Sequence, residues 1–145
     1  GLPWITGAAV MSAAAPDWHV FVPAILYSIG AHGIMTLNDF KSIEGDKQSG
    51  VYSLPVLLGP ERAGIVACIF MAVPQMVMVA LLFAWGFPWH GGAVTVLLLL
   101  QFAAMAKMLK DPKGLAPWYN NTGVFLFVIG MQVTAWALRS MLAAG

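Results

Sequence analysis

Four long apolar stretches dominate the chain, and short polar segments separate them. The stretches run roughly over 18–38, 63–86, 91–108 and 122–142, and a helix needs about 20 apolar residues to cross the hydrocarbon core of a bilayer. A further apolar stretch at 4–15 is too short to span alone. The pattern therefore predicts an all-α fold, a polytopic transmembrane helix bundle with about four full spans and a partial N-terminal helix.

The composition supports the membrane prediction and excludes one class of partner. Of the 145 residues, 60% are hydrophobic and 9% are charged, whereas soluble domains carry about 25% charged residues. The mean hydropathy of +0.81 is typical of a chain that presents apolar surface to a lipid bilayer. Because the formal net charge is only +1, the chain offers no basic surface for a polyanion, and nucleic acid is excluded as a partner.

The distribution of basic residues predicts the orientation of the spans. With four spans, the loops at 39–62 and 107–121 lie on the same side of the membrane. Six of the seven Lys and Arg residues lie in these two loops, and only Arg139 lies on the other side. Since cytoplasmic loops carry an excess of Lys and Arg, both loops are predicted to be cytoplasmic.

Three of the six acidic residues lie within eight positions, where the first full span is predicted to reach the cytoplasm. These residues are Asp39, Glu44 and Asp46. If the helix continues out of the membrane, Asp39, Ser42 and Asp46 lie on one face, with the two aspartates about 10 Å apart at their backbones. At this separation the two aspartates are too far apart to act as a directly paired acid and base, but they could bind the two ends of one anion–metal cluster.

The residue types in this segment indicate a metal and phosphate site. Carboxylates are hard oxygen ligands for Mg²⁺, which keeps several waters and is shared with substrate phosphates, and basic side chains bind phosphate oxygens. The candidate set is Asp39 and Asp46 as catalytic residues, Asp39, Asp46 and Glu44 as metal ligands, Lys41, Lys47 and Arg62 as diphosphate ligands, and His32, Asn38 and Ser42 as pocket residues.

The same residues also allow a purely structural interpretation. Charged residues are expected in an interfacial loop of any membrane protein, so the acidic cluster also fits a solvated turn. His32, seven residues before Asp39, fits either a hydrogen-bonded helix histidine or a ligand, although ionisable residues inside a membrane are functional candidates. The segment Trp118-Tyr119-Asn120-Asn121 fits an interfacial anchor and a pocket rim equally. The pattern alone leaves these alternatives open.

One segment is similar to a known family. Asn38-Asp39-Phe40-Lys41-Ser42-Ile43-Glu44-Gly45-Asp46 resembles the second aspartate-rich motif of the UbiA superfamily of intramembrane prenyltransferases. Four further segments resemble its (bacterio)chlorophyll synthase branch, and bacteriochlorophyll a synthases in particular: Leu2-Pro3-Trp4, Leu26-Tyr27-Ser28-Ile29-Gly30, Ser53-Leu54-Pro55-Val56 and Lys110-Asp111-Pro112. Many superfamily members have aspartate where Ser42 stands, but serine is usual in this branch. The resemblance covers essentially the whole of residues 1–145, as the C-terminal half of such an enzyme.

The resemblance implies a Mg²⁺-dependent enzyme that transfers a geranylgeranyl or phytyl group from its diphosphate to the propionate carboxylate of bacteriochlorophyllide. It also implies a bacterial inner or intracytoplasmic photosynthetic membrane and association with pigment–protein assembly machinery. The first aspartate-rich motif belongs to the N-terminal half, so this segment alone is expected to be inactive. The alternatives are another enzyme of the superfamily, in quinone or haem synthesis, and a non-catalytic membrane scaffold or transporter fragment.

Overall fold

The computed structural model describes residues 1–12 and 17–144, which form seven helices and, within these ranges, no strand. The helices are α1 (Leu2–Ser12), α2 (Trp18–Asp39), α3 (Ile43–Ser49), α4 (Leu54–Leu58), α5 (Pro60–Ala84), α6 (Pro88–Met108) and α7 (Pro112–Ala144). Helices α2, α5, α6 and α7 are long and apolar enough to cross a membrane. The predicted all-α bundle with four spans and a short N-terminal helix is therefore confirmed; the predicted end of the first stretch, at 13–15, lies outside the described residues.

The fourth span begins earlier than the sequence predicted. Helix α7 starts at Pro112 rather than near position 122, and the Asp111 side chain accepts a hydrogen bond from the Gly114 N–H at 3.0 Å. Proline suits a first helical turn because that turn needs no N–H donor. The 33 residues of α7 extend over about 50 Å at a rise of about 1.5 Å per residue, well beyond a hydrocarbon core of about 30 Å. The helix is therefore longer than the hydrocarbon core is thick.

Small residues bring α2 close to its neighbours. A Cβ atom on Gly33 would lie 2.5 Å from the carbonyl oxygen of Ala67 in α5. The corresponding space beside Gly30 is filled by the ring of Phe127 in α7. Helix association in lipid depends on this kind of close van der Waals packing, since lipid tails are as apolar as the side chains. Helix α2 is thereby fixed against both α5 and α7.

Buried polar side chains add interhelical hydrogen bonds. Gln75 of α5 donates its amide N–H to the side-chain oxygen of Gln101 in α6 at 2.9 Å. The Tyr27 hydroxyl of α2 lies 2.7 Å from the Thr134 hydroxyl of α7. Such bonds are worth on the order of 1 kcal/mol each in a membrane. They join α5 to α6 and α2 to α7.

The four long helices alternate in direction, so α2 and α6 end, and α5 and α7 begin, at the same end of the bundle. We call this end, with α3 and α4, the motif end. The motif end carries the 39–62 segment and the 107–113 segment, and contacts between α7 and the acidic segment hold them together. Asp17, His90 and Arg139 belong to the opposite end.

Candidate metal and diphosphate site

The acidic segment does not form the single continuous helix considered from the sequence. Helix α2 ends at Asp39, and the N–H groups of the next residues donate to carbonyl oxygens three positions back, including Ser42 to Asp39 at 3.0 Å. This tighter hydrogen-bonding pattern is common at helix ends. Helix α3 then begins at Ile43. Asp39 and Asp46 therefore lie on two different helices joined by a turn.

The turn nevertheless brings the two aspartates together through Ser42. The Ser42 hydroxyl lies 3.1 Å from the Asp39 carbonyl oxygen and 3.2 Å from Asp46 Oδ2. A hydroxyl has one proton to donate, so these two acceptors share it. Ser42 thereby connects the Asp39 backbone to the Asp46 carboxylate. A cation bound near both carboxylates would offset their like charge.

The orientation of Asp46 depends on the chain that follows α3. Gly50 adopts a left-handed conformation with φ 69°, which glycine adopts without the steric cost that a Cβ atom imposes. The chain reverses there, and the Val51 N–H donates to the Asp46 carbonyl oxygen at 2.8 Å. Ser53 then donates its hydroxyl to Asp46 Oδ2 at 2.7 Å. Within the described residues Oδ1 receives no hydrogen bond, so it is available to a ligand.

Glu44 has a different environment from the two aspartates. Its carboxylate pairs with the Lys113 ammonium group of α7 at 3.3 Å, and both side chains are more than half exposed, at 67% and 58%. Exposed ion pairs contribute about 0.2–1 kcal/mol. Across residues 1–12 and 17–144, no group of three or more His, Cys, Asp or Glu side chains is close enough to hold a metal ion. The structure thus brings together Asp39 and Asp46 but not Glu44 with them.

Three basic residues at the motif end, Lys41, Lys47 and Arg62, are exposed. None of these three forms an ion pair within the described part of the chain. Two other basic residues at this end are engaged: the Lys107 ammonium lies 3.9 Å from the centroid of the Trp118 ring, and Lys113 pairs with Glu44. The three predicted diphosphate ligands, like the exposed Lys110, therefore have no ion-pair partner among the described residues.

The predicted pocket residues differ in what they contact. Asn38 accepts a hydrogen bond from the Asn120 amide at 2.9 Å, so the 118–121 segment of α7 lies beside the end of α2. The Asn120 side-chain oxygen is buried and has no partner among the described residues. His32 is exposed, and its ring forms no hydrogen bond with any described residue. Sequence reasoning thus missed the roles of Ser53, Lys113 and Asn120.

The described residues thus form a bundle with four helices long and apolar enough to cross a membrane, and Asp39, Asp46 and exposed basic side chains lie at one end of it. Residues 1–129 match the UbiA prenyltransferase family. The chain belongs to this family, and it is a multi-pass membrane protein. The family resemblance inferred from the acidic segment is confirmed.

Individual relatives extend over nearly all of the chain. It is 57% identical over 141 residues to the bacteriochlorophyll synthase 33 kDa chain of Cereibacter sphaeroides, covering 97% of this chain and 47% of the relative. The identity to the protein of the same name from Rhodobacter capsulatus is 51% over 142 residues, 96% of this chain and 47% of the relative. The chloroplastic chlorophyll synthase of Arabidopsis thaliana is 37% identical over 137 residues, 94% of this chain and 35% of the relative.

The chain spans about half the length of the bacterial relatives that it matches, since 47% of each is covered. No solved structure matches the chain.

Proposed function

We propose that this chain is the C-terminal half of an enzyme that transfers a geranylgeranyl or phytyl group from its diphosphate to the propionate carboxylate of bacteriochlorophyllide. One observation carries the proposal: Asp39 and Asp46 are linked through Ser42 at the motif end. The basic side chains of Lys41, Lys47 and Arg62 lie at the same end and form no ion pair within the described residues. The names of the two bacterial relatives supply the substrate class. The proposal includes a bacterial inner or intracytoplasmic photosynthetic membrane and association with pigment–protein assembly machinery.

The site residues fit Mg²⁺, because Asp46 keeps one carboxylate oxygen free of hydrogen bonds and Asp39, linked to it through Ser42, supplies a second carboxylate. Magnesium takes one or two carboxylates and fills its other positions with water and substrate phosphate oxygens, so two aspartates are enough from this chain. When bound there, Mg²⁺ would neutralise the charge that develops on the departing diphosphate. Lys41, Lys47 and Arg62 would hold the same diphosphate through charge-assisted hydrogen bonds.

The acceptor needs no general base from this chain. A propionate, with a pKa near that of Glu at about 4.3, is already ionised at neutral pH. In the reaction, the bond between the prenyl C1 and the diphosphate oxygen breaks, and a propionate oxygen forms the ester bond to C1. The apolar helices would keep water from the allylic carbon during this exchange.

The proposed activity predicts a metal-dependent ester product. Full-length protein in lipid nanodiscs, given geranylgeranyl diphosphate and bacteriochlorophyllide, is expected to form the geranylgeranyl ester, measured by chromatography. EDTA should abolish the product and excess Mg²⁺ should restore it, because diphosphate departure needs charge neutralisation. Prenylation of 1,4-dihydroxy-2-naphthoate instead would contradict the proposal and favour the alternative of an enzyme in quinone synthesis.

We propose that the motif end faces the cytoplasm, since six of the seven Lys and Arg residues lie there. Single cysteines at Lys47 and Lys110, in full-length protein with Cys68 replaced by alanine, are expected to react with an impermeant maleimide from the cytoplasmic side. A cysteine at Arg139 should react from the opposite side. Labelling of positions 47 and 110 from opposite sides would contradict the topology; labelling of both from the outside would reverse the orientation.

A further inference from the structure

Helix α2 leaves one face uncovered by the rest of the described chain. Ile25, Ile29 and Met35 on this face are 58%, 37% and 60% exposed, and His32 is exposed between them. Asp39 follows His32 by seven residues, close to two helical turns, and so lies at the motif end of the same face. The face is apolar except for His32 and its acidic end.

The His32 ring differs from the rings of the other two histidines: it has no hydrogen-bond or ring partner among the described residues, although its backbone carbonyl accepts a hydrogen bond from the Thr36 hydroxyl at 2.9 Å. His19 Nδ1 lies 2.8 Å from the Asp17 carboxylate, and the His90 ring packs against the ring of Trp136 at 5.5 Å between centroids. An ionisable residue within a membrane span is a functional candidate, and the exposed imidazole of His32 is accessible to a ligand.

We propose that His32 is the axial ligand of the central magnesium ion of the tetrapyrrole acceptor, a role that rests on the proposed function. A neutral imidazole has a nitrogen lone pair that binds metals. The four ring nitrogens of a bacteriochlorin leave the axial positions of the magnesium open, so the imidazole displaces one axial water. No group is oxidised, reduced or transferred in this binding step.

The surroundings of His32 suit a flat apolar ring. A tetrapyrrole bound through its central metal lies across the axis of the metal–nitrogen bond, and therefore parallel to the surface of α2. Ile29 and Met35, which lie about one turn on either side of His32 on this face, would then contact the ring. Their exposure of 37% and 60% leaves apolar surface for that contact.

The spacing between His32 and Asp39 also suits the reaction. Seven residues correspond to about 10 Å along a helix, which is comparable to the reach from the centre of a tetrapyrrole to the carboxylate of its propionate arm. A ring anchored at His32 can therefore extend its propionate toward the Asp39–Asp46 pair. In this way His32 would present the acceptor oxygen to the prenyl diphosphate.

A matched pair of pigments tests the inference without measuring catalysis. Bacteriopheophorbide keeps the ring and the propionate of bacteriochlorophyllide but lacks the magnesium. Full-length protein in nanodiscs, without prenyl diphosphate, is expected to bind bacteriochlorophyllide at least about tenfold more tightly than bacteriopheophorbide by fluorescence titration, equivalent to about 1.4 kcal/mol. The His32→Leu variant should bind both pigments equally, with the affinity that the unaltered protein has for bacteriopheophorbide.

Two further variants control the experiment. His90→Gln, which changes a histidine at the opposite end of the bundle, should keep the preference for the magnesium pigment. If His32→Leu fails to fold, His32→Gly should lose the preference and regain it when free imidazole is added. Equal binding of both pigments by the unaltered protein, or a preference that survives in His32→Leu, would overturn the inference. If His32→Leu loses the preference for the magnesium pigment, the binding role of His32 is supported even when the protein forms no ester. In that case only the proposed prenyl-transfer activity fails.

Discussion

Replacing Asp46 with asparagine in full-length protein is expected to lower the kcat for prenyl transfer by about 100-fold, the effect typical of losing one group that stabilises transition-state charge. The asparagine oxygen can still accept the Ser53 hydrogen bond seen at 2.7 Å, so the fold of the segment should persist. What is lost is the negative charge that holds Mg²⁺. Product formation at saturating substrate, measured across a Mg²⁺ titration, should show both a lower kcat and a higher Mg²⁺ requirement.

Asp39→Asn should have an effect of the same size, whereas Glu44→Gln provides the matched control. The Glu44 carboxylate pairs with Lys113 on an exposed surface, and loss of such a pair costs about 0.2–1 kcal/mol, less than about tenfold in any rate. We therefore expect Glu44→Gln to keep most of the activity and the same Mg²⁺ dependence. A loss in Glu44→Gln equal to that in Asp46→Asn would show that Glu44, too, is a metal ligand.

The spans were predictable because a bilayer imposes a length on every helix that crosses it. The start of α7 was not, because Trp118, Asn120 and Asn121 made the segment before position 122 resemble a loop. In the structure, Asn120 is accommodated within the helix by its hydrogen bond to Asn38 of α2. That bond joins residues far apart in the sequence, and no local pattern reveals it.

The break between α2 and α3 was also hidden, since neither proline nor glycine occurs at positions 40–42. Its physical reason is burial: Phe40 and Ile43 are both 4% exposed, and the turn places both in the core. The charged neighbours Lys41 and Glu44 remain exposed. The balance between burying two apolar side chains and continuing a helix depends on what the segment packs against.

The acidic cluster was recognisable because its members are close in sequence, but its supporting residues were not. Ser53 reaches Asp46 only because the chain reverses at Gly50. Lys113 meets Glu44 only because α7 packs at the motif end. Sequence therefore identified the charged groups, and the tertiary contacts distinguish the paired Glu44 from the two adjacent aspartates.

The basic residues provide the second large expected effect. Lys47 directly follows Asp46 and is exposed, with no ion pair in the described chain. Hydrogen bonds to charged groups contribute about 1.5–3 kcal/mol, so Lys47→Gln in full-length protein is expected to raise the KM for the prenyl diphosphate by roughly 10- to 100-fold. The KM for bacteriochlorophyllide should stay nearly unchanged, because the proposal places Lys47 against the diphosphate and not against the acceptor. Initial rates over a matrix of both substrate concentrations measure the two constants separately.

Lys110→Gln is the control, because it removes the same charge from an exposed position at the same end of the bundle. If Lys47 acted only through the general positive potential, both variants would raise the KM equally, and added salt would weaken both effects in parallel. A direct contact instead predicts a large effect at position 47 and a small one at position 110. An unchanged diphosphate KM in each of Lys41→Gln, Lys47→Gln and Arg62→Gln would limit these residues to setting membrane orientation. In that case Asp39 and Asp46 alone would bind the metal–diphosphate complex from this half of the protein.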